Sequence, residues 1–386
     1  MKKIRYGIIG VGNIGTVHLK NFMNGEIADA EVVALADINP QKLERACRQY
    51  EGHPFACYGS GDELIERAEV DAVIIAVPHF LHPPLAIAAM EKGIAVVCEK
   101  PAGVYTAQVK EMNRAADRTG TPFTMMFNQR TNCVYRKMRE MILGGELGEL
   151  KRISWMITNW YRPQSYYDSG AWRATWAGEG GGVLFNQCPH QLDLLQWVTG
   201  QTPVRVQAFC HCGKWHSIEV EDDVTAYLEF SGGATGTFIT STADAPGTNR
   251  FEVAGSMGKL VCEDNALTFY RNRVDEREFN RENKQGFGAP EYDVLKVETD
   301  GVNLQHIGIL RNFTQYLLGR EKLFVDGREG LKSVELMDAM ELSSWTGKMV
   351  ALPIDDGQYY RELQKRMAVS RWKEVSDRLL DAEGTY

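Results

Sequence analysis

The chain has 386 residues, too many for one ordinary hydrophobic core, so two domains are expected. With 44% hydrophobic and 24% charged residues it reads as a soluble globular protein, not a disordered one. The 43 basic and 51 acidic residues leave a net charge of -8 with no long basic run, which argues against a nucleic-acid or anionic-membrane partner.

Lys2 and Lys3 precede an apolar run, as in a signal peptide, but Arg5, Gly7 and Gly10 interrupt it and no small-residue cleavage site follows. No run of about 18 apolar residues could span a membrane, so the expected location is cytoplasmic. The eight cysteines are scattered, unlike a disulfide framework. Along the chain, residues 4–9 form a short apolar run ending at glycine, and residues 14–24 follow with helical periodicity. A second run at 32–36 precedes a helical pattern at 40–51. Residues 72–77 have the continuous apolar character of a strand buried on both faces. A helix at 83–92 and strands at 94–98 and 122–127 complete the alternation. This pattern predicts an α/β domain with a doubly wound parallel sheet over residues 1–124.

Beyond residue 125 the pattern changes. An amphipathic helix at 132–144 is stopped by Gly144-Gly145. Strand-like runs then accumulate at 150–160, 203–212, 222–230, 234–242, 249–255, 259–263 and 266–271, with one helix at 188–199 among them. Helices are expected at 304–319, 329–347 and 358–381. Residues 125–386 therefore read as an α+β domain with a large open, mainly antiparallel sheet, its last helices free to pack back on the first domain.

Gly10-Val11-Gly12-Asn13-Ile14-Gly15 follows the first strand and opens the first helix. In that context it is a dinucleotide cradle. Gly10 permits the tight turn, Gly12 lets the backbone approach the pyrophosphate, and Gly15 lets helix and strand pack closely. The helix amides at Asn13 and Ile14 face the phosphates. Asp37 ends the second strand 22 positions after Gly15, where a carboxylate bonds the adenosine ribose hydroxyls. It repels a 2'-phosphate, and Ile38-Asn39-Pro40 supplies no arginine, so NAD is expected in preference to NADP.

Glu99-Lys100-Pro101 follows the fourth strand, where ligands collect at the carboxyl ends of a parallel sheet. With the N-terminal glycine motif, this tripeptide resembles the glucose-fructose oxidoreductase, inositol dehydrogenase and MocA (Gfo/Idh/MocA) family. Ala76-Val77-Pro78-His79-Phe80-Leu81-His82 resembles that family's strand-end motif, with His79 where asparagine is common. Gly144-Gly145-Glu146-Leu147-Gly148, Gly180-Gly181-Gly182 followed by His190, and Trp345-Thr346-Gly347-Lys348 extend the likeness over nearly the whole chain. The resemblance implies a Rossmann domain, hydride transfer at a secondary alcohol of a sugar, glycoside or cyclitol, and a homodimer or homotetramer built on the second sheet. It places Pro78, His79, His82, Glu99 and Lys100 beside the nicotinamide. His79 and His82 are equally explained by helix entry before Pro83-Pro84.

Oxidising a secondary alcohol needs a hydride acceptor, a base and a group that stabilises oxyanion charge. Lys100 is the candidate for positioning the hydroxyl, and burial would lower its pKa enough for proton exchange. His190 is the candidate acid/base, with Pro189 in the first helical turn and Asp193 expected on the same face. Where many relatives carry aspartate four residues before the histidine, this chain has Asn186, which orients a hydroxyl but takes no proton. That asparagine resembles relatives that oxidise a 3-hydroxyl, giving a 3-keto sugar. For the substrate, the aromatic stretch 159–176 offers Trp160, Tyr161 and Trp176 with Arg173, and Asn128 and Arg130 lie just past the last Rossmann strand. Cys210-His211-Cys212 lacks a second ligand pair, so no metal is expected. An NAD-dependent glycosidase acting by oxidation and elimination, an inositol dehydrogenase and a non-catalytic NAD-bound regulator are the alternatives.

Overall fold

The computed structural model describes residues 3–373. Its first half alternates strands and helices: β1 (Ile4–Ile9), α1 (Asn13–Met23), β2 (Ala30–Ala36), α2 (Pro40–Gln49), β3 (Ala56–Tyr58), α3 (Gly61–Arg67), β4 (Ala72–Ile75), α4 (His82–Glu91), β5 (Ala95–Cys98), α5 (Thr106–Thr119) and β6 (Phe123–Met125). Among the described residues these strands form a six-stranded sheet in the order β3-β2-β1-β4-β5-β6, all neighbours parallel. Every residue of β4 and β5 is buried, as continuous apolar runs under helices on both faces require. Local chemistry sets the helix starts. Asn39 caps α2 at the Gln41 amide before Pro40, and Ser60 caps α3 at the Glu63 amide.

The second half contains α6 (Cys133–Leu143), β7 (Leu150–Ile157), α7 (Gln164–Tyr167), α8 (Val183–Asn186), α9 (Pro189–Thr199), β8 (Pro203–Cys212), β9 (Glu221–Phe230), β10 (Thr235–Ser241), β11 (Asn249–Gly255), β12 (Gly258–Glu263) and β13 (Ala266–Asn272). It continues through α10 (Glu276–Glu282), β14 (Tyr292–Val297), α11 (Gln305–Leu317), α12 (Gly330–Thr346), β15 (Val350–Ala351) and α13 (Asp356–Met367). The described strands make a nine-stranded sheet, β14-β13-β12-β11-β7-β10-β9-β8-β15. All its pairs are antiparallel except β7 with β10. One face is core, where Trp155 stacks on Phe251 with ring centroids 4.2 Å apart. The other face leaves Phe209 at 59% exposure.

The expected fold class holds for both sheets. The C-terminal helices do meet the first sheet's layer: Asp338 of α12 accepts from the Thr106 amide at 2.7 Å, and Tyr6 of β1 pairs with Thr314 of α11 at 2.9 Å. Several expectations need correction. The strand expected at 72–77 stops at Ile75, because the chain turns away at Pro78 to start a 3-10 turn at His79–Leu81. The helix expected over 358–381 ends at Met367; Ser370 and the Arg371 amide are drawn instead onto Glu219. The rest of that segment, from 374, lies outside the described residues. No described helix is long and apolar enough to cross a membrane.

Candidate active site

A cavity of about 1300 Å³ runs along the carboxyl ends of the parallel strands and under the segment 160–190. At one end lies the turn after β1. Gly10 has φ +92°, and a Cβ there would sit 2.3 Å from the Ala76 carbonyl oxygen. A Cβ at Gly15 would sit 1.8 Å from the Gly10 oxygen. Gly12 differs: a Cβ there meets only open space, so this backbone is bare toward the cavity. Asp37 is fixed by the Val11 amide on one oxygen (2.9 Å) and the Asn39 amide on the other (2.8 Å). Each oxygen keeps a lone pair for a diol. A bare glycine backbone, a helix N-terminus and an anchored carboxylate fit a dinucleotide with a free ribose.

At the other end, β5 runs into Glu99 and Lys100. The Glu99 carboxylate is buried and lies 2.7 Å from His18 Nε2. Burial works against that carboxylate, but the hydrogen bond and charge of His18 hold its pKa down to about 2. Lys100 Nζ donates to the Asn186 backbone carbonyl at 2.7 Å. Burial lowers the Lys100 pKa, with Glu99 and Glu179 opposing.

Asn186 ends α8. Its Oδ1 accepts from the Tyr166 hydroxyl at 3.0 Å, and its Nδ2 donates to Glu179 Oε1. Arg173 Nη1 donates in turn to Tyr166 at 3.0 Å. His190 stands in the first turn of α9, edge-on to Phe127. Burial and the neighbouring Lys100 hold its pKa well below the usual imidazole range, so the ring is neutral. Its Nδ1 is buried with no hydrogen-bond partner among the described residues, while the ring borders the cavity.

Gly10, Gly12, Asn13, Ile14, Asp37, Pro78, His79, His82, Glu99, Lys100, Trp160, Tyr161, Arg173, Asn186 and His190 all line this one cavity. Three expected substrate contacts do not. Arg130 is buried between Asp193 (2.6 Å) and Glu329 (3.1 Å), because a guanidinium out of water must find carboxylates. Both Asp193 oxygens accept from Arg130, so the carboxylate is engaged there. Asn128 is fully buried and donates to Gln305 at 2.7 Å. Trp176 packs edge-on against Trp345, with ring centroids 5.6 Å apart. Glu179 and His306 were not anticipated. An acidic residue directly before Gly180-Gly181-Gly182 was a usable signal for the first. His306 comes from α11 and gave none.

The comparisons with known proteins place the chain in a family. Residues 4–127 match the model of the oxidoreductase family with an NAD-binding Rossmann fold, and residues 135–261 match the GFO/IDH/MocA C-terminal domain. The chain belongs to the Gfo/Idh/MocA family. It is an NAD-dependent oxidoreductase of the class that acts on CH-OH groups. The rhizopine catabolism protein MocA of Rhizobium meliloti is 28% identical over 53% of this chain and 59% of that protein, so that match spans little over half of the relative. Inositol 2-dehydrogenase of the same species is 27% identical over 68% of this chain and 76% of the relative. The WlbA dehydrogenase of Bordetella pertussis, solved with NADH and UDP-GlcNAcA, is 27% identical with a TM-score of 0.77. That likeness covers 92% of this chain and 100% of WlbA.

Proposed function

We propose that this Gfo/Idh/MocA member oxidises a secondary ring hydroxyl of a sugar, glycoside or cyclitol. When bound, NAD accepts the hydride from the carbinol carbon. The supporting observation is the meeting of Lys100, Asn186 and the neutral His190 at one end of a cavity whose other end fits a dinucleotide. Lys100 Nζ, held 2.7 Å from the Asn186 carbonyl, fixes the hydroxyl oxygen and stabilises the negative charge it develops. His190 takes the hydroxyl proton in oxidation and returns it in reduction. Asn186, anchored between Tyr166 and Glu179, orients a neighbouring hydroxyl. The resemblance of Asn186 to relatives that oxidise a 3-hydroxyl is the basis for reading the 3-hydroxyl of a pyranose as the oxidised position. The names and ligands of the relatives, inositol for one and UDP-GlcNAcA for another, are consistent with a cyclic polyol substrate.

In this reading residues 1–124 bind the cofactor and residues 125–386 supply most of the substrate site. The outward face of the large sheet, with Phe209 and Met156 exposed, would pair copies of the chain. The test is NADH formation by the purified chain with NAD and a set of glycosides, inositols and nucleotide sugars. NADH with a ring alcohol supports the assignment, and a product ketone located by NMR fixes the carbon. Silence toward every polyol removes it.

A further inference from the structure

The substrate end of the cavity holds more positive charge than oxidising a neutral alcohol requires. Arg162 and Arg173 both crowd the Tyr166 ring, with guanidinium carbons 5.2 Å and 4.7 Å from its centroid. Both line the cavity. Among the described residues neither has a carboxylate within ion-pairing distance. Arg162 Nη1 donates to the neighbouring Tyr161 carbonyl at 3.0 Å, and its Nε is buried with no partner among the described residues. Arg173 Nη1 reaches the Tyr166 hydroxyl at 3.0 Å. Glu179 is close enough to Arg173 to feel its charge. Its oxygens are already engaged, one by the Ala174 amide at 2.6 Å and the other by Asn186.

Some other cations in this molecule have carboxylate partners, while Arg139 bonds the Trp197 carbonyl and lies over its ring. Arg130 has two carboxylates, and Lys110 is paired with Asp356 at 2.8 Å. Two guanidiniums beside one ring, neither with a carboxylate partner among the described residues, repel each other and leave hydrogen bonds of their planar forks unmade. The chain as a whole is acidic, so this local excess runs against its average charge. The contacts from Lys100 through Asn186 and Tyr166 to Arg173 put the pair at the substrate end, away from the Gly12 cradle.

We propose that the substrate carries an anionic group, a carboxylate or a phosphate, and that Arg162 and Arg173 hold it. Hydroxyl groups alone leave the forks unmatched, whereas a carboxylate or phosphate accepts two parallel N–H bonds from each. Trp160 and Trp172 also lie under these guanidiniums, whose carbons are 5.8 Å and 4.6 Å from the ring centroids, and help to hold the forks in the cavity. This inference rests on the oxidoreductase reading for the identity of the site.

The test compares initial rates of NADH formation by the full chain. Glucose and myo-inositol are set against glucuronate, glucose 6-phosphate and UDP-glucuronate. The expected result is a kcat/KM at least about 30-fold higher for an anionic compound, since close charge pairs discriminate on that scale. Its KM should rise with added NaCl. R162M and R173M should each cut the anionic-to-neutral ratio about 10-fold or more, through KM. Preference for glucuronate over glucose 6-phosphate would identify the anion as a carboxylate, and the reverse as a phosphate.

Equal or better use of the neutral sugars overturns the inference while leaving the oxidoreductase reading intact. If no compound yields NADH, that reading fails instead. Calorimetric titration of the NADH-loaded protein with glucuronate and glucose 6-phosphate then decides the anion site. Arginine-dependent binding supports it; absent or arginine-independent binding overturns it. A loss of NADH affinity in R162M or R173M would assign the arginines to the cofactor and also overturn it.

Discussion

Lys100 sits in a cavity wall where burial favours its neutral form and the nearby carboxylates Glu99 and Glu179 favour its charged form; burial wins. It therefore gives up its proton at a lower pH than the ordinary value of 10.5. Because its charged form stabilises the developing alkoxide, kcat/KM for oxidation falls with rising pH along a basic limb whose inflection lies below 10.5, and the neutral His190 adds no inflection near 6.5. A pH-rate profile with an imidazole-like acid limb would contradict this. Asn186→Asp puts a carboxylate beside Lys100, stabilises its charged form and moves the basic limb upward. Lys100→Met should lower kcat/KM by about 10²- to 10³-fold, the cost of removing one donor to a developing oxyanion. NADH affinity, followed by fluorescence, should change little. Lys100, Asn186 and His190 were legible because each sits in a short motif at a strand or helix end. Glu179 was marked only by its place before Gly180-Gly181-Gly182, and His306 by nothing, since it comes near Glu99 from α11 through a tertiary contact that no spacing encodes. Arg130 misled for the same reason: its position after β6 suggested the cleft, but Asp193 and Glu329 claim it.

The turn after β1 separates structural glycines from a binding glycine. Gly15→Ala drives a methyl into the Gly10 carbonyl and should lower the melting temperature of the free protein. Gly12→Ala meets no protein atom, so it should leave that temperature unchanged and weaken NAD binding about 10-fold or more, by blocking the approach of the pyrophosphate. Equal destabilisation by both would remove the distinction. On β9, Glu221 is buried with Oε1 accepting the Gly182 and Leu184 amides that open α8. Burial pushes its pKa up from 4.5 to about 7. A raised carboxylate binds its proton more tightly when folded, so its contribution is present below 4.5 and is lost as pH rises toward 7. Glu221→Gln keeps an oxygen for those amides, so it should raise the melting temperature at pH 8 and flatten its fall between pH 5 and 8. Elements with strong apolar periodicity were readable. β3 has three residues at a sheet edge and lacks such a signal. β14 was missed because no residue in it is fully buried, and α10 because it buries nothing.

The first sheet, the segment 160–190 and His306 of α11 border the cavity, and one buried guanidinium ties the two halves of the chain together. Arg130, beyond β6, bonds Asp193 of α9 and Glu329 before α12. Arg130→Met would leave Asp193 buried and unpaired at a cost of about 3–5 kcal/mol. Denaturant unfolding should show that loss, while a shift below about 1 kcal/mol would mean the pair is dispensable. The class of both sheets was readable in the change of pattern near residue 125, because continuous apolar runs under helices and alternating runs on a one-faced sheet differ in period. How the last helices reach back to Thr106 and Tyr6 was not, since those bonds join residues more than 200 positions apart. The central claim is that one cavity brings NAD and a cyclic alcohol together at Lys100. The most direct measurement is NADH absorbance of the purified chain with NAD and a set of sugars, uronates and inositols, run beside Lys100→Met. The account predicts NADH, one ketone per NADH, from at least one ring alcohol, and a loss of about 10²- to 10³-fold in the variant. No NADH from any of them, or a variant as active as the parent, would contradict it.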